Sequence, residues 1–148
     1  MKIIDICCPC ENKSELEMVS TGYICSSKDC IHSRSVNAFP IENGIPILIS
    51  EACTDTVCSM EVGKTYVQRS NSQLGGIKKL IFGESKISKQ NCDTFIDLVS
   101  KSAEKPKVLV VGGGEEGSGT SALWRSENIE IVSFDIYMSS TTDMVCDA

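Results

Sequence analysis

"KVLVVGGGEEGSGTSALWRSENIEIVSFDIY", residues 107–137, decides the fold. It opens on a continuous apolar run, residues 108–111, the pattern of a strand buried on both faces. A glycine-rich turn follows at once. "TSALWRS" has helical spacing, and "IEIVSFDIY" is rich in β-branched and aromatic residues, which marks a second strand. Strand, glycine turn, helix and strand make a βαβ unit, and that unit builds a parallel sheet. "DMVCDA", residues 143–148, starts a third strand, with only about eight residues linking it to Asp135. That is short for a crossover helix, so the sheet is trimmed on this side. Upstream, the pattern is helical from Asn91: Asp93 can cap, Phe95, Leu98 and Val99 share a face, and Pro106 stops the helix.

Gly112, Gly114 and Gly117 match G-x-G-x-x-G, with Gly113 between the first two. The match follows a strand, opens a helix, and is answered by Asp135 at the end of the second strand, eighteen positions after Gly117. Glycines let backbone approach a ligand closely, and the carboxylate can accept both hydroxyls of a ribose. The plainer alternative is a tight turn with a surface aspartate. NAD and S-adenosylmethionine both suit this arrangement. Glu115 and Glu116 would repel a pyrophosphate but tolerate the ammonium and sulfonium of S-adenosylmethionine. Asp147 is placed to receive an adenine amino group, and the trimmed third strand points the same way. An NAD-dependent oxidoreductase remains the competing reading.

The first fifty residues carry a different chemistry. Cys7 and Cys10 form a C-x-x-C pair, and Cys25 and Cys30 a C-x-x-x-x-C pair fourteen residues further on. Two tight turns, each aiming two sulfurs the same way, surround a zinc ion tetrahedrally at ~2.3 Å. So small a segment has little core, and metal binding would supply folding free energy. Four thiolates close the site, which makes it structural. Iron is chemically admissible in such a set. Cys8 can replace Cys7. His32 reads as a polar surface residue, with ligation as the alternative. Cys53, Cys58, Cys92 and Cys146 read as small apolar residues, with a second metal pair at Cys53 and Cys58 as the alternative. After the cysteines, Asn43-Gly44 between "FPI" and "IPILI" predicts a hairpin with a type I′ turn.

Of the 148 residues, 41% are hydrophobic and 23% charged, an ordinary globular balance. The net charge of -6 argues against a nucleic-acid clamp, which needs clustered Lys and Arg. Lys78, Lys79, Lys86 and Lys89 read as a solvated helix face. No stretch reaches the ~20 apolar residues of a membrane span, and "MKIIDICCPC" lacks the features of a signal peptide. A cytosolic location follows, where clustered cysteines point to metal ahead of disulfides.

The residues 1–50, with "CCPC", "YICSSKDC" and "FPIENGIPILI", resemble the Trm112-type zinc-ribbon domain. "VLVVGGGEEGSG", "FDIY" and "VCDA" resemble the first three motifs of a class I S-adenosylmethionine-dependent methyltransferase. Residues 51–90 read as a connector, and "KKLIFGESKISKQNCDTFIDLV", residues 78–99, resembles the connector of bacterial methyltransferases that carry both parts. The expected architecture is α/β: a small β zinc ribbon, a connector, and over 91–148 an incomplete Rossmann-like parallel sheet. The resemblance implies that Gly112, Gly113, Gly114 and Gly117 line the methionine moiety. It implies that Asp135 binds the ribose, that Ile136 packs on the adenine, and that Asp147 and Ala148 hold the adenine edge. Val110 stands where the family often has an acidic residue, and Cys8 stands where its first knuckle has proline. About three strands of a seven-stranded sheet are present, so the chain reads as an N-terminal portion that binds cofactor weakly and does not turn over. No catalytic residue is assigned. The alternative is an interaction or activator module, with a protein partner or a second copy on the open sheet edge.

Overall fold

The computed structural model describes residues 6–52, 58–67, 86–114, 116–117 and 119–147. The cysteine-bearing first fifty residues, called the ribbon here only for their hairpins, carry an antiparallel pair of β1 (Leu16–Val19) and β2 (Gly22–Cys25). Two short 3-10 turns, Ile31–Ser33 and Ser35–Asn37, lead to Phe39, which pairs with Tyr23 through two backbone hydrogen bonds of 2.9 and 2.8 Å. A second hairpin joins β3 (Ile41–Glu42) to β4 (Ile45–Pro46). Asn43 and Gly44 both have positive φ, 52° and 81°, as the predicted type I′ turn requires.

The parallel sheet has the order β5 (Lys107–Val111), β6 (Glu130–Asp135), β7 (Met144–Val145). Its register sets Val111 opposite Phe134 and Asp135 opposite Val145. The mixed α/β class is therefore as expected, with a three-stranded parallel sheet beside two small antiparallel ones.

The ribbon's tail continues this sheet. Ile47 bridges Val145 in parallel, and the Leu48 amide donates to the Val145 carbonyl at 2.7 Å. Side chains alternate across a strand, so the tail feeds two cores. Leu48 joins Cys8, Cys10, Cys25, Phe39, Val132 and Met144. Ile47 and Ile49 join Cys58, Met138 and Val145. Both faces of "IPILI" are covered, which explains its unbroken apolar run.

The same reading fails for β5. Its residues alternate between exposed and half-buried, with Leu109 59% and Val111 60% exposed. β5 pairs with β6 alone among the described residues, so an apolar run does not guarantee two covered faces.

Residues 58–67, expected to be plain connector, carry part of the core. Helix α1 (Met60–Gly63) is capped by Ser59, whose hydroxyl accepts from the Val62 amide at 3.3 Å. Gly63 sits so close to the tail that a Cβ would lie 2.6 Å from Ile49 Cδ1 and 3.0 Å from Ile47 Cγ2. Tyr66 bridges Met138 beyond the sheet. Cys58 is buried, as a small apolar residue should be; Cys53 lies outside the described residues. The break at Gly75-Gly76 and the "IKKLIF" helix also lie outside them, as do Lys78 and Lys79.

Helix α2 spans Lys86–Ser100, so it includes residues before Asn91, and Asp93 is interior instead of a cap. Its buried residue is Cys92; Phe95 and Leu98, expected on a core face, are exposed. Helix α3 (Ser121–Trp124) is a single turn, shorter than "TSALWRS" suggested. No described helix is long and apolar enough to cross a membrane.

Candidate metal centre and glycine turn

Cys8, Cys10, Cys25 and Cys30 place their sulfurs within 4.8 Å of one another. The Cys8–Cys30 and Cys10–Cys25 sulfurs are 3.7 and 3.8 Å apart. Four sulfurs at ~2.3 Å from a central zinc lie about 3.8 Å apart along each edge of their tetrahedron. A disulfide needs ~2.05 Å, and all four thiols are free. The donor set and its spacing thus suit a tetrahedral thiolate metal ion such as zinc.

The first turn supplies Cys8 in place of the expected Cys7. Cys7 pairs with Glu15 in an antiparallel bridge and is exposed, whereas Cys8 is wholly buried. In extended backbone adjacent side chains point to opposite faces, so only one of the two can face the cluster. The Cys8 amide donates to the Ser14 carbonyl at 2.8 Å and the Lys13 amide to the Cys10 carbonyl at 2.9 Å, closing the knuckle. Lys13 takes a positive φ of 46° there.

The thiols differ electrostatically. Burial pushes the Cys8 thiol far up and Cys30 up to about 11. A backbone hydrogen bond from Ser14 holds Cys10 down at about 7. Burial raises Cys146, which is outside the cluster, to about 11, with the Asp147 charge adding to it.

His32 is outside the cluster as expected, yet it is not a loose surface group. Its Nδ1 lies 2.6 Å from the Asn37 carbonyl and its Nε2 2.6 Å from the Ser50 hydroxyl. A carbonyl can only accept, so Nδ1 carries the proton, and a neutral ring accepts from Ser50 at Nε2. The ring stacks on Phe39 at 4.0 Å between centroids. It ties the second cysteine turn to the end of the ribbon tail.

At the other site, the Gly112 and Gly113 amides both donate to the Phe134 carbonyl, at 3.0 and 3.2 Å. The Gly114 amide donates to Asp135 Oδ2 at 2.8 Å, and the Ile136 amide to Asp135 Oδ1 at 2.7 Å. Close approach explains two of the glycines. A Cβ on Gly113 would sit 2.8 Å from Val110 Cγ1, and one on Gly114 2.6 Å from Asp135 Oδ2. Gly112 has φ 68°, which favours glycine.

The structure therefore brings Gly112, Gly113, Gly114 and Asp135 together at the carboxyl ends of β5 and β6. Gly117 lies one turn further on, where its carbonyl accepts from the Thr120 amide at 3.2 Å and hydroxyl at 2.9 Å. Ile136 packs in part against the Ile47–Ile49 core. Asp147 follows β7 at the same end of the sheet and is exposed. Glu116 is exposed; Glu115 and Ala148 lie outside the described residues.

Sequence reasoning missed the β6–β7 loop. Thr141 donates to the Gly113 carbonyl at 2.9 Å. Asp143 accepts from the Ser133 amide at 2.9 Å, and its own amide donates to the Ser133 carbonyl at 3.0 Å. The hydroxyl-rich "SSTTD" in so short a connection is the one signal that could have pointed to it.

Comparison with protein-family models, curated proteins and solved structures gives no match.

Proposed function

We propose that this chain binds S-adenosylmethionine across the carboxyl ends of β5, β6 and β7 and serves methyl transfer, with zinc held by Cys8, Cys10, Cys25 and Cys30 as a structural centre. The observation that carries the cofactor choice is the direction of the glycine amides. A pyrophosphate is recognised by outward backbone N–H groups and a helix N-terminus. Here the amides of Gly112, Gly113 and Gly114 are all donated into β6, and α3 is a single turn with little dipole. A turn that keeps its donors for itself suits a cationic ligand better than an anionic one, and Glu116 beside it has the right sign.

In this reading Gly112, Gly113, Gly114 and Gly117 border the methionine moiety. Asp135 keeps a lone pair on each oxygen for the ribose hydroxyls, Ile136 borders the adenine, and Asp147 and Ala148 take its edge. The bound cofactor's sulfonium supplies the methyl group. The acceptor and the residues that position it are not assigned.

Amide NMR titration of the full chain tests this. S-adenosylhomocysteine should shift Gly112–Gly114 and Asp135 saturably, and NAD should not; the reverse result sinks the proposal.

A second reading, a module that docks through β5, draws on the exposed Leu109 and Val111. Light scattering decides it: a clean monomer over a wide concentration range counts against self-association.

A further inference from the structure

The peptide unit between Gly113 and Gly114 is held at both ends. Its oxygen accepts from Thr141 Oγ1 at 2.9 Å. Its N–H donates to Asp135 Oδ2 at 2.8 Å. Thr141 is itself anchored: the buried Ser133 hydroxyl donates to the Thr141 carbonyl, and Ser139 Oγ lies 3.3 Å from Thr141 Oγ1. Two residues on, Asp143 clasps the Ser133 backbone in both directions. A chain of hydrogen bonds thus runs from β6 through the β6–β7 loop to the glycine turn.

A peptide plane flanked by two glycines rotates at low cost, because neither neighbour has a Cβ to clash. Rotation would carry the N–H away from Asp135 and leave that carboxylate held, among the described residues, by the Ile136 amide. The Thr141 hydroxyl opposes this rotation by pinning the oxygen.

We propose that Thr141 is a positioning residue for the glycine turn. It locks the Gly113–Gly114 peptide, and through it the Asp135 carboxylate, in the orientation that meets the ligand's ribose. This rests on the cofactor reading above for the ligand's identity, but the lock is a property of the turn itself.

The experiment uses the full chain, wild type, Thr141→Val and Thr141→Ser. Valine keeps the shape and removes the hydroxyl; serine keeps the hydroxyl. Two quantities are read by amide NMR: affinity for S-adenosylhomocysteine, and exchange of the Gly114 amide without ligand. Loss of one such hydrogen bond predicts about five- to tenfold weaker binding for Thr141→Val. Faster Gly114 exchange should accompany it, and Thr141→Ser should restore both to within about twofold of wild type. Unchanged Gly114 exchange in Thr141→Val overturns the lock. Faster exchange with unchanged affinity overturns its role in binding. Faster exchange in a protein that does not bind S-adenosylhomocysteine at all removes the cofactor reading and the positioning role toward it, and leaves the lock standing.

Discussion

The cysteine cluster and the glycine turn solve opposite problems. The cluster gathers four like groups into a closed, largely buried shell that coheres around an added cation. The turn uses unlike groups, amides against a carbonyl and a carboxylate, and satisfies itself without any added group. The first region is therefore the one whose stability should respond to a metal ion, and the hydrogen bonds of the second are made without one. They are not independent, because Leu48 and Met144 pack against Cys8, Cys10 and Cys25 in one core.

The largest expected effect tests the first half of this contrast. Chelating the metal, or Cys8→Ala, should unfold the ribbon, since structural zinc contributes on the order of 10 kcal/mol in small domains. Metal content by mass spectrometry should fall from one ion per chain to nearly none. Cys7→Ala should keep the metal; a loss there equal to that of Cys8→Ala would return Cys7 to the ligand set.

A smaller effect tests the coupling. Ile47 is wholly buried where the ribbon tail meets β7. Ile47→Ala should cost about 2–5 kcal/mol. In urea, ribbon and sheet signals should lose stability together in one transition. Two separate transitions, with only one moved, would divide the molecule at the tail.

The third separates the sites by pH. Without metal, Cys8 and Cys30 are protonated at neutral pH, because burial raises both. Metal binding must displace at least those two protons, so apparent affinity should rise at least about a hundredfold per pH unit from pH 7 to 9. Below the Cys10 value of about 7 a further proton is displaced and the slope should steepen. Competition with a chromophoric chelator reads this. Ligand binding at the glycine turn uses no thiol and should not share the slope.

What could be read from the chain was whatever local covalent pattern dictates. Two close cysteine pairs, Asn43-Gly44, and the strand–glycine–strand order with Asp135 each impose a geometry within a few residues. The choice between Cys7 and Cys8 could not be read that way, because it depends on which face of an extended segment meets the other three sulfurs. The apolar runs at 45–49 and 108–111 look alike in sequence, yet the first is covered on both faces and the second is not. Hydrophobicity states a preference for burial; only the packing of other elements grants it. Likewise Thr141 reads as an ordinary loop residue and Asp143 as the first residue of a strand. Only the return of the chain from β6 to β7 brings their side chains to Gly113 and Ser133, and hydrogen bonds between residues that far apart exist only once the fold has closed.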